Sequence, residues 1–275
     1  METSKHIQMN IKNWDERVEA HTQGNCKDFY DIEGFLTGQS TLRNIEIEEL
    51  GNVRGKSMLH LQCHFGLDTL SWARQGAKIT GVDFSPKAIK YAIDLASKCE
   101  LSADFICSDV FNLPNVLDKQ FDIVIATYGI LCWIPEVHRY MKVVSHFLKA
   151  GGYFLLIDGH PFLDMFEFNK ESGQLEIKYS YFHTNKPEEY VCSNSYANKE
   201  YKMKHNKTYQ WSHDIDSIVT AITGNGMELL SLKEYPFAFY QKYPNMVQNE
   251  KGQWIFSDRN IKLPMLMSVK AKKKI

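Results

Sequence analysis

Apolar positions follow two alternating rhythms along the middle of this chain. Short, nearly continuous apolar runs read as strands at Ser57 to Gln62, Ala77 to Val82, Ala103 to Cys107, Phe121 to Thr127 and Tyr153 to Ile157. Between them, apolar residues recur at helical spacing: Leu67, Leu70 and Ala73 with Trp72 flanking, then Ala88, Ile89, Ala92, Ile93 and Ala96, then Val137, Met141, Val144 and Leu148. Local signals punctuate these stripes. Gly76 stops the first helix, Ser85 and Pro86 cap and open the second, and the third is expected to begin at Pro135 and end at Gly151-Gly152. Strand alternating with helix predicts an α/β fold with a doubly wound, mostly parallel sheet. Phe121 to Thr127, apolar on both faces, is its expected central strand.

The flanks are patterned differently. Ile11 to His21 predicts a helix with Trp14 and Val18 on one face, Cys26 to Leu36 is aromatic and punctuated by glycine, and Ser40 is the expected cap of a helix running to Leu50 before Gly51. From Gly159 to Gln210 no helical stripe persists, and short alternating runs such as Leu175 to Tyr181 predict an inserted antiparallel lid. A helix through Ile215, Ile218, Val219 and Ile222 follows, ended by Gly224 and Gly226. Met227 to Glu234 and Leu263 to Ala271 are strand-like, separated by a long aromatic loop from Pro236 to Lys262. The expected organisation is an N-terminal helical extension (1–55), a core (56–158 and 209–275) and an inserted lid (159–208).

Composition narrows the partners. The 275 residues, 44% hydrophobic and 24% charged, suit one medium globular domain with insertions, and a formal net charge of -1 gives no general attraction to nucleic acid. Lys270 to Lys274 reads as a solvated tail. No run is long enough for a membrane span and METSKHIQMN lacks the apolar core of a signal peptide, so a cytoplasmic protein without a membrane partner is expected. Six cysteines, at 26, 63, 99, 107, 132 and 192, form no CxxC pair and read as reduced thiols. His60 falls in a strand while Cys63 and His64 fall in the following turn, and no metal site is expected there.

The stretch from Lys56 to Pro86 carries the candidate chemistry. It reads as a strand, a tight turn at Cys63 to Gly66, a helix and a second strand closed by Asp83, the first half of a nucleotide-binding βαβ unit. An acid at that place can accept hydrogen bonds from both hydroxyls of a ribose. The runs LHLQCHFG, DTL and GVDFSP resemble a variant first motif found in a bacterial branch of the class I S-adenosylmethionine-dependent methyltransferases. The usual motif reads acid-x-Gly-x-Gly-x-Gly; aligned on it, His60 to Gly66 retain only the last glycine. S-adenosylmethionine has no pyrophosphate for glycines to admit, so this turn argues more heavily against NAD. The specific part of the resemblance is Leu59 to Pro86 and Phe121 to Gly152, and in outline it covers the chain, including a long connection before a reversed last strand.

The resemblance implies a Rossmann-like, seven-stranded sheet and methyl transfer from S-adenosylmethionine to a small molecule. Asp83 would hold the ribose, Phe84 would pack on the adenine with Ser85 beside it, and Asp109 with Val110 would select the adenine edge. Gln62, Cys63 and Gly66 would border the methionine part, and Thr127 and Tyr128 would lie beside the sulfonium. Trp14, Arg17 and Tyr30 would cover the methionine end; alternatively Trp14 and Tyr30 only pack the extension, Arg17 is a solvated charge, and Asp109 caps the turn into Phe111 to Leu113. His160 and His213 are the candidate general bases, each with a structural alternative. Segments 159–210 and 236–262 are expected to roof a mostly apolar acceptor pocket, Tyr209 and Trp211 included, or else to form a homodimer interface; the chain is a monomer or homodimer on this reading. No Asn-Pro-Pro-Tyr type motif follows the fourth strand, and nucleic-acid substrates are not expected. Two other functions share the pattern: an NAD-dependent oxidoreductase, and a non-catalytic S-adenosylmethionine-binding protein.

Overall fold

The structure, a computed structural model, describes residues 2–23, 26, 29–258, 260 and 262–275. Parts of the aromatic stretches at 26–36 and 236–262, namely Lys27, Asp28, Arg259 and Ile261, lie outside the described residues. Three helices come first, α1 (Glu2–Thr22), α2 (Ile32–Leu36) and α3 (Asn44–Leu50). Alternation then begins with β1 (Ser57–Leu61), α4 (Leu67–Arg74), β2 (Lys78–Asp83), α5 (Pro86–Lys98), β3 (Asp104–Cys107), β4 (Phe121–Thr127), α6 (Val137–Phe147) and β5 (Leu148–Gly159). Four short strands follow, β6 (Phe166–Asn169), β7 (Gln174–Ile177), β8 (Glu188–Val191) and β9 (Lys207–Gln210). The chain ends with α7 (Ile215–Gly224), β10 (Met227–Tyr235), β11 (Met246–Gln248), β12 (Trp254–Phe256) and β13 (Leu266–Lys273).

Seven strands form one sheet in the order β10-β13-β5-β4-β1-β2-β3, with β13 antiparallel to both its neighbours and the other pairs parallel. The alternation of side chains sends successive residues of β4 to opposite faces. Val124 and Ala126 join a core with α6 and α7, while Ile123 and Ile125 join another with Trp72 of α4 and Ile45 and Leu50 of α3. Both faces are dry, which is why the strand is apolar throughout. The remaining strands make three two-stranded ribbons, β6–β7, β8–β9 and β11–β12. Among the described residues no helix is long and apolar enough to cross a membrane.

Several local expectations are corrected. Gly151 and Gly152 do not end a helix: α6 stops at Phe147, and both glycines lie in β5 at a register shift against β4. Gly151 has φ +74°, and a Cβ on Gly152 would stand 3.1 Å from the Asp122 carbonyl, so the pair serves a bulge with close backbone approach. Pro135 precedes α6 by two residues, with Glu136 at the N-cap. Ser40 caps no helix; its hydroxyl accepts from Leu42 N, and α3 starts later, after Arg43.

Gly66 is the glycine on which the first turn depends. It holds φ +83° at the N-cap of α4, and a Cβ there would meet Phe105 at 2.9 Å and Ala92 at 3.0 Å. Gly66→Val is expected to cost about 2 to 4 kcal/mol from left-handed strain and overpacking together. Urea unfolding checks this; an unchanged midpoint would show that the turn tolerates a side chain.

Candidate functional site

At the carboxyl end of β1 the chain turns through Gln62, Cys63, His64, Phe65 and Gly66. Gln62, His64 and Gly66 all adopt positive φ, 54°, 50° and 83°. The left-handed geometry that glycine usually serves is therefore retained with two bulky residues in place, at a cost of order 1 kcal/mol or more each. Their side chains have partners. Tyr140, fully buried in α6, donates its hydroxyl to Gln62 Oε1 at 2.9 Å, and His64 Nδ1 accepts from Phe65 N at 2.8 Å. Behind the turn, His60 spans β1 to its neighbours through Thr69 Oγ1 (2.9 Å) and Thr127 Oγ1 (3.3 Å), and burial lowers its pKa to about 4.

Asp83 stands opposite this turn. Its Oδ2 accepts from His64 N and its Oδ1 from Ser85 N, each at 2.9 Å, with the Phe84 N–H also bearing on the carboxylate, which leaves acceptor capacity for a further donor. Burial raises its pKa to about 6, with Asp15 adding and the Ser85 and His64 N–H groups opposing. Ser85 caps α5 through Ala88 N and donates its hydroxyl to Asp15 of α1 at 2.5 Å. Phe84 is half-buried and Val110 buried. Asp109 Oδ1 accepts from Phe111 N at 2.7 Å, the local turn that was its alternative role, which leaves Oδ2 available.

α1 lies across this end of the sheet. Ser85 and Lys87 hold it through Asp15 and Glu19, and its other face carries Asn10, Asn13 and Glu16, which bind the β8–β9 insertion. Asn10 brackets Tyr209 through both amide atoms, and the Glu16 carboxylate accepts from Lys204 N and His205 N. The apolar stripe at Trp14 and Val18 gave no sign of this polar one, although Asn10, Asn13 and Arg17 recur at helical spacing.

Arg17 is not a solvated charge: it is 7% exposed, bonded to Asn13 Oδ1 at 2.6 Å and placed over Trp14 and Tyr196 at 5.1 and 5.2 Å. Among the described residues no carboxylate pairs with it. The Trp14 ring meets His64 edge-on at 5.1 Å. His21 stacks on His64 and donates to or accepts from Ser195 Oγ at 2.7 Å, and Tyr30 packs on His21 and Phe65. Burial depresses both histidines, His64 to about 3, with Arg17 reinforcing the effect.

Next to this crevice, at the ends of β4 and β5, is a cavity of about 230 Å³. Tyr128, Tyr179, Tyr190, Trp211, Phe239 and Tyr240 give it aromatic walls, while Cys132, Asp158, His160, His213 and Lys242 supply polar groups. Trp211 is thus at the cavity; Tyr209 is not, and stacks instead on His6 of α1 at 4.1 Å. Asp158 escaped the sequence reading, where it was only the last residue of a core segment. Its carboxylate accepts from Gly129 N (2.6 Å), Ile130 N (3.0 Å), Leu131 N (2.8 Å) and Gly159 N (2.8 Å), fixing the loop after β4. Lys242 pairs with Asp164 at the cavity wall.

The two histidines differ in what their rings have left to offer. His160 Nδ1 accepts from Phe162 N at 3.1 Å, and its Nε2 lies 2.8 Å from Glu234 Oε1. Its lone pair is spent. His213 Nε2 is 2.6 Å from the Ile134 carbonyl, which can only accept, so this nitrogen carries the proton. Its Nδ1 is therefore a bare lone pair, buried and, among the described residues, without a partner. Burial lowers the His213 pKa to about 4, and its ring stacks on His183 at 4.8 Å.

Residues 59–156 match the family model described as "Methyltransferase domain". A ubiquinone biosynthesis O-methyltransferase of Coxiella burnetii is 31% identical over 106 residues, 38% of this chain and 44% of that one, so the chain spans less than half the length of this relative. Among solved structures, an S-adenosylmethionine-dependent methyltransferase from Mesorhizobium loti superposes with a TM-score of 0.59 at 17% identity, over 86% of this chain and 100% of the other. Another, from Clostridium acetobutylicum, does so with a TM-score of 0.56 at 14% identity, over 95% and 99%. The fold of this chain is the one these structures share.

Proposed function

We propose that this chain, whose residues 59–156 match a methyltransferase domain, transfers a methyl group from S-adenosylmethionine to a small-molecule acceptor. The carrying observation is Asp83, a buried carboxylate at the end of β2 with acceptor capacity beyond its backbone bonds, which suits a ribose hydroxyl. The other residues present fit the same cofactor. Arg17 is a buried cation with no acid paired to it among the described residues, Asp109 keeps Oδ2 for an adenine amino group, and Gly66 leaves the turn without a Cβ.

When bound, S-adenosylmethionine supplies a methyl group already activated by its sulfonium. The protein's part is alignment, exclusion of water and proton removal. α1 with Trp14 covers the crevice, Thr127 and Tyr128 border the junction with the cavity, and the aromatic walls hold the acceptor. For a hydroxyl or amine acceptor, His213 Nδ1 would take the acceptor's proton; the Ile134 carbonyl holds the ring in the tautomer that permits this. The Coxiella relative's name supports oxygen as the acceptor atom.

Calorimetric titration tests the reading. S-adenosylmethionine is expected to bind and NAD not, and Asp83→Ala to weaken binding by about 1 to 3 kcal/mol. Affinity should fall as pH drops through 6, because protonation removes an acceptor from Asp83, and this step should vanish in Asp83→Asn. Binding of NAD alone would overturn the proposal. Binding of S-adenosylmethionine without turnover, across acceptors assayed with labelled methyl groups, would instead identify a non-catalytic binder.

A further inference from the structure

One cation stands in the wall of the aromatic cavity, and the loop before β13 holds it there. Tyr243 is buried, places its hydroxyl between the Leu163 and Phe166 carbonyls at 2.7 and 2.9 Å, and packs with Leu163, Met246 and Phe256. That anchor sets its neighbour Lys242 against Asp164, and both line the cavity. The Asp164 side chain is 45% exposed and that of Lys242 22%, so water serves the acid while the ammonium is the drier partner. An ammonium has three N–H groups, and among the described residues Asp164 takes one of them in a hydrogen bond and nothing takes the other two.

Tyr190 and Tyr240 add donors beside it. Both line the cavity, and among the described residues neither hydroxyl has a hydrogen-bond partner. Burial raises the pKa of each, with Asp164 adding and Lys242 opposing, so both phenols keep their protons and stand within electrostatic reach of the ammonium. The acids of the wall are already committed: Asp158 gives its oxygens to four backbone N–H groups and Asp164 faces Lys242. A cationic ligand would have to displace one of these partners, whereas an anion meets donors that are unspent.

The proton acceptor of the cavity lies among other neighbours. His213 has the Ile134 carbonyl, His183 and Asp214 around it, and Lys242 has Asp164, Tyr240 and Tyr243. The cavity thus offers a base at one place and a cation at another, within aromatic walls that suit a flat ring. Its volume of about 230 Å³ limits the occupant to a small molecule.

The geometry points to a small aromatic hydroxy acid as the methyl acceptor, its carboxylate bound by Lys242 with the Tyr190 and Tyr240 hydroxyls and its own hydroxyl presented to His213. This rests on the function proposed above and names its substrate class. Neither Lys242 nor Asp164 stands out in the sequence, where Lys242 is one residue of the long aromatic loop.

The test titrates protein saturated with S-adenosylhomocysteine with three ligands of one ring size, 4-hydroxybenzoate, 4-hydroxybenzyl alcohol and 4-hydroxybenzylamine, and with their 3-hydroxy isomers. At least one hydroxybenzoate is expected to bind about tenfold or more tightly than the alcohol and the amine of the same pattern. Lys242→Met, which keeps the apolar stem, should bring the acid within about twofold of the alcohol and leave the affinities for the alcohol and for S-adenosylhomocysteine within about twofold of wild type. Lys242→Arg should keep the preference. Tyr190→Phe and Tyr240→Phe, which remove a hydroxyl and nothing else, should each lower it about threefold and serve if Lys242→Met does not fold. A Lys242→Met protein with a lower urea midpoint but an intact preference for the acid would make the Lys242–Asp164 pair a structural tie and overturn the inference. Equal binding of the three ligands, or binding of none, by wild type that binds S-adenosylhomocysteine would also overturn it, and would leave the cofactor reading standing. Wild type that does not bind S-adenosylhomocysteine would remove the cofactor reading and this inference with it.

Discussion

His213→Gln is expected to lower turnover by about 10²- to 10⁴-fold, the usual contribution of a positioned general base, with cofactor affinity changed by less than about twofold. The glutamine amide can still donate to the Ile134 carbonyl, so the loop after β4 keeps its partner, while the lone pair that takes the proton is gone. His160→Asn provides the contrast. An asparagine oxygen can accept from Phe162 N as His160 Nδ1 does, and turnover should fall less than about tenfold. Because burial holds the His213 pKa at about 4, the ring is neutral across the physiological range, and no histidine titration near 6.5 should appear in the rate profile. Single-turnover measurements on both variants decide the matter. A large loss in His160→Asn with none in His213→Gln would reverse the assignment.

Asp158→Ala should be the most destabilising change at the cavity. Four backbone N–H groups, those of Gly129, Ile130, Leu131 and Gly159, lose their acceptor together, and the methyl group left behind cannot be bridged to them. Each buried unsatisfied donor costs about 1 to 3 kcal/mol, but the loop can relax toward solvent, so a total near 3 kcal/mol is expected. In a chain of this size that corresponds to a Tm lower by roughly 6 to 12 °C, measurable by scanning calorimetry. Asp158→Asn retains one acceptor oxygen and should recover part of the loss. An unchanged Tm in Asp158→Ala would mean that the loop is held by Trp211 N, which donates to the Cys132 carbonyl, and by its apolar contacts instead.

The sequence by itself determined the alternation of strands and helices from β1 to β5, because hydrophobic period and capping are local properties and α5 announces its start with Ser85 and Pro86. It also placed Asp83, since an acid directly after a strand needs no partner elsewhere to be noticed. It misplaced the end of α6, because a glycine pair looks the same in a helix stop and in a bulge until the neighbouring strand is known. The first turn shows the division most clearly. Gln62 and His64 read as a departure from a glycine pattern, yet both keep the left-handed backbone, held by Tyr140 from 78 residues away and by packing against α1.

Tertiary structure alone decided the rest of the site. Arg17 is solvated or buried according to what α1 packs against, and the choice between His160 and His213 depends on which ring nitrogen each backbone partner occupies. Hydrophobic periodicity reports which face of an element is dry. It carries no information about which distant polar group shares that dryness, and that pairing is what gives a buried charge its function.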